Sequence, residues 1–570
     1  MSDTSIRAGR PSVRGFATVG ALRLARPSDT WFKPALSIVI ASAVPNLLLF
    51  AVDRLDLVMY TMAGSLCALY GHNLPYAHRA RTVAGVVLGM SAGVATALVT
   101  ASLTDSTGVL IAVAALLAAA QKALCDATRV GPPGAVIFTF VTSAALFTPQ
   151  ELGQVPGHLA LTLAAGAVSL LVTVGPALLR REGPERRATA RALDAAAACA
   201  DAPGPGTRHS AAAAVHSAWQ SLLATGRPTP VRRELERLLI HAEAALAATA
   251  NDGDPDAEET ARPAAAPRPA RLRAWAAATR ARSPVPCPPP APGTTAEIFG
   301  VDAERAARRP VLRALAPGSP LLPVAARTLI GCALAGYVCA ALGAGRPYWA
   351  IVTAASLYQA NITLSWNRTL QRTLGNLIGV LVFAAVLPLS RTGPLALIGC
   401  CLFFNFAAEA LITRNYWLGS VAVTPMALLV LEFGGTHPAG ELIGDRVLDT
   451  LVGAAVGFLA AAAVTNRRAT GHVEKALAEA EASRAHAVRT IADPAAAPAA
   501  LDGARRRLTG SLVELRLAGD AAAGEWWQHA LPEERLVAAE QAGHRTLAAT
   551  ARRQGLAVLP PPRDGLDGAV

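Results

Sequence analysis

The apolar residues of this chain concentrate in two blocks, residues 33–180 and 322–465, and polar residues dominate the rest. Gly, Pro and short charged stretches divide the blocks into segments, most of them long enough to cross about 30 Å of hydrocarbon as a helix. The pattern predicts an all-α, polytopic integral membrane protein with about twelve transmembrane helices, six in each block. These helices are predicted near residues 34–52, 55–70, 82–102, 107–124, 133–148, 157–179, 322–343, 347–364, 371–389, 394–412, 416–433 and 447–465.

The polar parts of the chain predict helices outside the membrane. Residues 1–32 form a basic N-terminus, and residues 181–321 and 466–570 carry Ala-, Leu- and Arg-rich stretches with helical spacing. Within the first of these regions, Pro, Ala and charged residues over 251–295 predict a flexible linker. We expect the two helical regions to pack together on the cytoplasmic side.

Positive charge sets the predicted orientation. The chain carries a formal net charge of +12, with only 16% charged residues against about a quarter in a typical soluble protein. Its basic residues crowd ahead of the first span and in alternate loops, and short cytoplasmic loops are enriched in Lys and Arg. We therefore expect a multi-pass protein of the plasma membrane with both termini in the cytoplasm, and no nucleic-acid partner. The main basic residues of the predicted inner loops are Arg79, Arg81, Lys122, Arg129, Arg368, Arg372 and Arg414.

One pair of motifs occurs twice in the second block. Residues 346–349 and 414–417 both read Arg-x-Tyr-Trp, and residues 372–379 and 446–453 both read Arg-x-Leu-x-x-Leu-x-Gly. An odd number of predicted crossings separates the copies, so the second copy is upside down relative to the first. Many transporters use inverted repeats to build two alternately accessible faces around a midplane site. The repetition predicts a membrane transporter.

The second block also resembles the fusaric acid resistance (FUSC-type) family. The similar stretches are residues 348–354, 368–379, 414–425 and 446–453. This family includes aromatic acid exporters and is related to plant aluminium-activated malate channels. The resemblance implies efflux of organic or aromatic carboxylates, driven by the proton gradient. The alternatives are a passive anion channel of the malate-channel type and a non-transporting sensor anchored by its spans.

Candidate substrate-binding residues combine arginines at the predicted inner mouth with a polar cluster in the eighth span. A guanidinium stays charged when buried and can hold a carboxylate through two hydrogen bonds. Polar groups in hydrocarbon normally face a cavity or another helix, and aromatic rings beside amides suit a ring-bearing acid. The alternatives are an orientation signal for the arginines and an interfacial aromatic belt for the tryptophan. The candidates are Arg372, Arg414, Arg368, Tyr358, Gln359, Asn361, Trp366, Arg81 and Arg129, the last two being the first-block equivalents of Arg372 and Arg414.

Proton coupling requires a carboxylate inside the membrane. Glu409 and Asp449 are the candidates, and the alternative for Glu409 is an ion pair with Arg414, five positions later. Arg446 breaks the positive-inside trend. It could draw anions outward, or it could be clamped by Asp445, Asp449 or Glu441.

No motif in the sequence indicates catalysis. We find no Gly-x4-Gly-Lys-Ser/Thr phosphate loop, no His-Glu-x-x-His and no Gly-x-Ser-x-Gly. The eight cysteines show no Cys-x-x-Cys spacing, and most lie in apolar spans, where Cys behaves as a small hydrophobe. We therefore expect no enzyme activity, no cofactor and no metal. The expected partners are the lipid bilayer and a small organic anion, and assembly as a homo-oligomer is left open.

Overall fold

A computed structural model describes residues 18–24, 31–128, 130–224, 229–249, 268–281, 284–286, 319, 321–359, 361–463, 469–523 and 533–553. The described residues fold into α-helices joined by turns and short 3₁₀ segments, and no β-strand occurs among them. In chain order the α-helices are α1 Thr18–Leu22, α2 Phe32–Ala51, α3 Val58–Ser65, α4 Tyr76–Leu103, α5 Thr107–Thr128, α6 Val136–Leu146, α7 Val155–Val174, α8 Gly183–Asp201, α9 Pro205–Leu223, α10 Pro230–Ala248, α11 Pro269–Arg280, α12 Leu321–Ala341, α13 Tyr348–Leu357, α14 Ile362–Ser390, α15 Pro394–Ile412, α16 Tyr416–Leu431, α17 Ala439–Ala463, α18 Ala469–Ala492, α19 Pro498–Ala523 and α20 Glu533–Arg553.

Nine helices in the described parts of the chain are long and apolar enough to cross a membrane. They correspond to α2, α4, α5, α7, α12, α14, α15, α16 and α17, which together with α3, α6 and α13 we call the membrane part. The prediction of an all-helical, multi-pass membrane protein is confirmed. The remaining three predicted spans are shorter apolar helices, at Leu55–Leu69, Val136–Leu146 and Tyr348–Leu357.

The shortened spans have local causes. The span predicted over 347–364 ends at Leu357, because Asn361 caps the next helix by accepting a hydrogen bond from the Leu364 amide at 2.8 Å. The span predicted over 133–148 begins only at Val136, because Gly134 before it has a left-handed backbone (φ +67°) that an α-helix does not contain. Capping and turn residues thus remove helical length that the apolar pattern alone suggests.

The two apolar blocks pack against each other through their short helices. In α13, Trp349 lies with its ring centre 5.4 Å from that of Phe140 in α6. The neighbouring Tyr348 lies 5.6 Å from Phe147, just after α6. Ala427 of α16 completes this aromatic cluster. α13 is therefore enclosed by helices of both blocks rather than by lipid.

The polar sequence between the blocks folds into a four-helix cluster, α8 to α11, which we call the first polar region. Leu193, Leu235 and Leu239 form its buried centre. Within the linker predicted over 251–295, the structure has the helix Pro269–Arg280, so that part of the prediction is wrong. Leu272 and Ala276 are four residues apart and buried on one helix face. Because most apolar residues of this helix are alanines, its pattern resembled that of a linker.

The second polar region, α18 to α20, contacts the first through a buried ionic cluster. Arg505 in α19 is 2% exposed and pairs with Glu243 of α10 at 3.0 Å and with Asp502 at 2.8 Å. The indole nitrogen of Trp219 donates to the other oxygen of Glu243 at 2.9 Å. Buried charges persist when they are paired and hydrogen-bonded. This cluster is accordingly a specific contact between the two polar regions.

We expect Glu236 to make stability depend on pH. Glu236 lies on α10 near Arg506 and Asp502 of the second polar region, and burial raises its pKa from 4.5 to about 7. The folded protein therefore binds a proton more readily than the unfolded chain across that window, so stability falls as pH rises from about 4.5 to 7. Glu236→Gln should flatten the pH profile of the unfolding temperature in this window.

A matched control for this prediction lies two residues away. Glu234 lies on the same helix, pairs with Arg237 at 2.9 Å and keeps 24% of its side chain exposed. Glu234→Gln should leave the slope of the wild-type profile intact. Equal slopes in Glu236→Gln and wild type would show that Glu236 is not the titrating group.

Candidate functional site

Two arginines flank one tyrosine where α14 packs against α16. Arg372 of α14 is only 4% exposed, and its Nη1 donates a hydrogen bond to the phenolic oxygen of Tyr416 at 3.2 Å. Its Nε finds no acceptor among the described residues. Arg368, one turn earlier, holds its guanidinium carbon 3.7 Å from the centre of the Tyr416 ring. Of the predicted substrate-binding residues, the structure thus brings Arg368 and Arg372 together.

Glycines bring the backbones of α14 and α16 close enough for these contacts. A Cβ atom at Gly375 would lie 2.5 Å from the carbonyl oxygen of Trp417, and one at Gly379 would lie 2.9 Å from that of Val421. Only glycine fits between backbones at such distances. Asn415 sets the start of α16 by accepting a hydrogen bond from the Trp417 amide at 3.3 Å. Tyr416 is thereby placed opposite Arg372.

A second buried arginine, Arg446 of α17, lies in the same assembly. It is 1% exposed, and its guanidinium carbon lies 4.1 Å from the centre of the Trp349 ring. None of its three nitrogens hydrogen-bonds to a residue that the structure describes. Arg372, Asp449, Tyr348 and Tyr416 all act electrostatically on it. The sequence motif located Arg446, but only tertiary packing reveals that it is buried without an acceptor in the described parts of the chain.

A chain of hydrogen bonds connects the helices that carry Arg372 and Arg446. The amide nitrogen of Asn376 donates to the hydroxyl of Thr450 at 3.1 Å, and the hydroxyl of Thr424 donates to the amide oxygen of Asn376 at 2.9 Å. All three side chains are buried. Asn376 and Thr450 each follow their arginine by four residues. The two helices therefore meet at corresponding positions of the repeated motif.

The two carboxylates predicted to carry protons have different surroundings. Asp449 is fully buried on α17, where its Oδ1 accepts a hydrogen bond from the Cys339 thiol at 2.6 Å. Its other oxygen has no hydrogen-bond partner in the described chain. Glu409 is half-buried on α15 and makes no ion pair with Arg414. Of the two, Asp449 is the one near a buried arginine, Arg446, which precedes it by one turn on α17.

The polar residues predicted on the eighth span lie in a turn instead, which corrects their assignment to a helix. Tyr358, Gln359 and Asn361 lie between α13 and α14. The side-chain amide of Gln359 donates to the carbonyl of Tyr358 at 3.3 Å, and the backbone N–H of Gln359 donates to the hydroxyl of Ser365 at 3.1 Å. An asparagine ahead of an apolar run is a helix-start signal, and that signal was missed.

The same turn contacts the second polar region. The side-chain nitrogen of Asn361 donates to the carbonyl of Asp520 in α19 at 3.4 Å. Trp366, in the first turns of α14, packs edge-on against Phe458 of α17 at 5.1 Å. These residues therefore join elements of the fold, and the structure does not place them beside the Tyr416 phenol.

Two further predicted residues do not join the cluster, and a third, Arg129, lies outside the described residues. Arg81 and Arg414 are exposed and make no hydrogen bond or cation–π contact with Tyr416. Arg414 occupies the turn before the Asn415 cap. In the first block, Arg79 is the buried arginine instead of Arg81. Its hydrogen-bond acceptors among the described residues are the backbone carbonyls of Gly71, His72, Leu74 and Thr173.

The N-terminal segment 18–24 lies against the start of α16. The carbonyl of Ala21 accepts hydrogen bonds from the side chains of Gln371 at 2.6 Å and Asn415 at 3.0 Å, and that of Leu22 accepts one from the Trp417 indole at 3.3 Å. These donors are the sequence neighbours of Arg372 and Tyr416. The segment therefore covers the same end of α14 and α16 that carries the arginine–tyrosine contact.

Comparisons with known proteins agree with the resemblance seen in the sequence. Residues 331–460 match the family model described as fusaric acid resistance protein-like, which confirms that resemblance for this region. The chain is 28% identical over 224 residues to the uncharacterized membrane protein YvaC of Bacillus subtilis, covering 38% of this chain and 33% of the relative. It is 32% identical over 117 residues to an uncharacterized protein of Haemophilus influenzae, covering 20% of this chain and 16% of the relative. The matches thus span a third or less of these relatives, and no solved structure matches.

Proposed function

We propose that this protein is a membrane transporter that exports organic, and in particular aromatic, carboxylates. The observation that carries the proposal is the Arg372 guanidinium, which is buried among apolar helices and keeps one nitrogen without an acceptor in the described chain. A guanidinium is the side chain best suited to hold a carboxylate through two parallel hydrogen bonds. The fusaric acid resistance protein-like match over residues 331–460 supports the same class of function.

The surroundings of Arg372 favour a ring-bearing acid. Tyr416 lies between the guanidinium groups of Arg368 and Arg372, and the Trp349–Tyr348 pair adjoins the nearby Arg446. Aromatic side chains bind the flat face of a ring, while the arginines bind its carboxylate. A small aliphatic dicarboxylate such as malate would use the cations but leave the rings without a contact. We therefore place aromatic monocarboxylates ahead of malate.

We further propose that the membrane part is built from two blocks of six helices, twelve crossings in all. Each short helix falls between two long ones along the chain, α3 between α2 and α4, α6 between α5 and α7, and α13 between α12 and α14. Helix α16, at Tyr416–Leu431, occupies the matching place between α15 and α17. Short or interrupted helices at corresponding positions of the repeats are typical of transporters with inverted repeats around a midplane site.

Orientation, location and energy source complete the proposal. The excess of basic residues in alternate loops favours a plasma-membrane protein with cytoplasmic termini, and hence cytoplasmic polar regions. Proton coupling would act through Asp449, which adjoins Arg446, with Glu409 as the second carboxylate. The alternatives, a passive anion channel and a non-transporting sensor, differ from the exporter in their response to a proton gradient.

Transport in proteoliposomes tests the proposal. Purified protein is reconstituted and the liposomes are loaded with radiolabelled 4-hydroxybenzoate or malate, with and without a pH gradient across the membrane. We expect 4-hydroxybenzoate efflux well above that of protein-free liposomes, faster with the gradient than without it, and slower efflux of malate. Equal efflux with and without the gradient, accompanied by a steady current, would identify a channel. Absence of protein-dependent flux for both acids would overturn the proposal.

A further inference from the structure

Arg446 presents a buried cation that no acidic group of the described chain neutralises by contact. It is 1% exposed, and its Nε, Nη1 and Nη2 atoms all lack an acceptor there. A buried charge without a partner is strongly destabilising, so such a group is retained where a ligand or a mechanism uses it. The neighbouring carboxylates do not pair with it. Asp445 pairs with Arg346 at 3.4 Å and also accepts from the Gly345 amide at 3.4 Å, and Asp449, one turn later on α17, accepts from the Cys339 thiol and makes no ion pair with Arg446. The Asp445 clamp considered from the sequence therefore forms on Arg346 and not on Arg446.

The aromatic residues around Arg446 leave its hydrogen-bonding edge available. Its guanidinium carbon lies 4.1 Å from the centre of the Trp349 ring, and the Tyr348 ring lies 5.0 Å from that of Trp349. A cation–π contact engages the face of a guanidinium, whereas its N–H groups lie in the plane of the group and can still donate. Arg446 therefore has an apolar support on one side and five N–H donors for an anion.

Arg446 and Arg372 each contact an aromatic residue of the other motif copy. Arg372 opens the first Arg-x-Leu-x-x-Leu-x-Gly motif and contacts Tyr416 of the second Arg-x-Tyr-Trp motif. Arg446 opens the second such motif and contacts Trp349 of the first Arg-x-Tyr-Trp motif. Each arginine thus contacts an aromatic residue from the other copy of the repeat. The hydrogen bond between Asn376 and Thr450, four residues after each arginine, connects the two halves.

We propose that Arg446, with Trp349 and Tyr348, forms a second carboxylate-binding site, distinct from that of Arg372. This inference rests on the proposed function, because both sites would hold the carboxylate of the same aromatic acid. The substrate would pass from one arginine to the other across the Asn376–Thr450 contact. Each arginine is then the anion-binding group of one half of an inverted repeat.

Equilibrium binding of radiolabelled 4-hydroxybenzoate to the purified full-length protein in detergent, at fixed ionic strength, tests the second site. We expect two equivalents bound by the wild type and one by Arg446→Gln, with the remaining site unchanged in Kd. Arg446→Lys keeps the charge but loses the two-pronged donor, so the affinity of one site should fall about 10- to 100-fold. Arg414→Gln, which alters an exposed arginine, should still bind two equivalents.

The outcomes separate this inference from the proposed function. Two equivalents retained in Arg446→Gln would overturn the second site and leave the transporter proposal standing. One equivalent in the wild type, lost in both Arg446→Gln and Arg372→Gln, would also overturn it, since the arginines would then share a single site. No binding to the wild type would count against both proposals. If Arg446→Gln fails to fold, Arg446→Lys gives the decision, because an unchanged affinity at both sites in that variant overturns the second site.

Discussion

Arg372→Gln is expected to slow efflux of 4-hydroxybenzoate from proteoliposomes by about 10- to 100-fold at subsaturating substrate. A hydrogen bond to a charged group contributes about 1.5–3 kcal/mol, and each 1.4 kcal/mol corresponds to a factor of ten in affinity. Glutamine removes the charge and the paired donors, while its amide can still donate to the Tyr416 phenol that Arg372 contacts at 3.2 Å. The variant should therefore fold and lose substrate binding.

Two other arginines supply matched controls for this experiment. Arg81 and Arg414 were predicted from the sequence as further substrate-binding residues, yet both side chains are exposed. Arg81→Gln and Arg414→Gln should leave efflux within a factor of two or so of wild type, since exposed charges contribute little. Efflux unchanged in Arg372→Gln, or lost equally in all three variants, would contradict a binding role that is specific to Arg372.

The membrane part was predictable because its signals are local. Long apolar runs between polar loops located every long helix, and the repeated sequence motifs by themselves singled out both Arg372 and Arg446. The lengths of the middle helices were less accessible. They depend on single capping residues such as Asn361. One such residue sets where a helix begins but hardly changes the mean hydropathy of the segment.

The sequence did not decide which arginines are buried at the site, because burial depends on the direction of each side chain. Arg79 and Arg81 are two positions apart on α4, about 200° around a helix, so only one of them can face the packed side. The structure buries Arg79 and exposes Arg81, whereas the motif comparison favoured Arg81. Likewise, Asp445 does not clamp Arg446, because Arg346 reaches Asp445 from a distant part of the chain. Periodicity alone does not report such contacts.

The glycine that closes each Arg-x-Leu-x-x-Leu-x-Gly motif has a packing role that extends the proposed inverted repeat. A Cβ at Gly379 would lie 2.6 Å from the Thr424 Cβ of α16, and one at Gly453 would lie 2.6 Å from the Ala350 carbonyl oxygen of α13. Each glycine therefore sits where its helix crosses the helix that begins with Tyr-Trp. Each Arg-x-Leu-x-x-Leu-x-Gly motif therefore contains an arginine and a glycine. The glycine allows close packing of the helix that carries the aromatic partner of that arginine.

Gly379→Val and Gly453→Val are accordingly expected to destabilise the protein to a similar extent, by about 3 kcal/mol each, the upper end of the usual cost of overpacking. The branched side chain would push α14 from α16 in one variant and α17 from α13 in the other. The measurement is the fraction of monodisperse protein that remains in detergent after heating, across a temperature series.

Gly399→Val is the matched control, because Gly399 lies on α15 in the same block with nothing within 4 Å of a Cβ atom. It should retain the wild-type midpoint, since its side chain would extend into open space. An intact midpoint in Gly379→Val or Gly453→Val would show that the corresponding helix pair can separate without cost. A large loss in one and none in the other would mean that the two crossings are not equivalent, and the inverted repeat would then describe the motifs but not the packing.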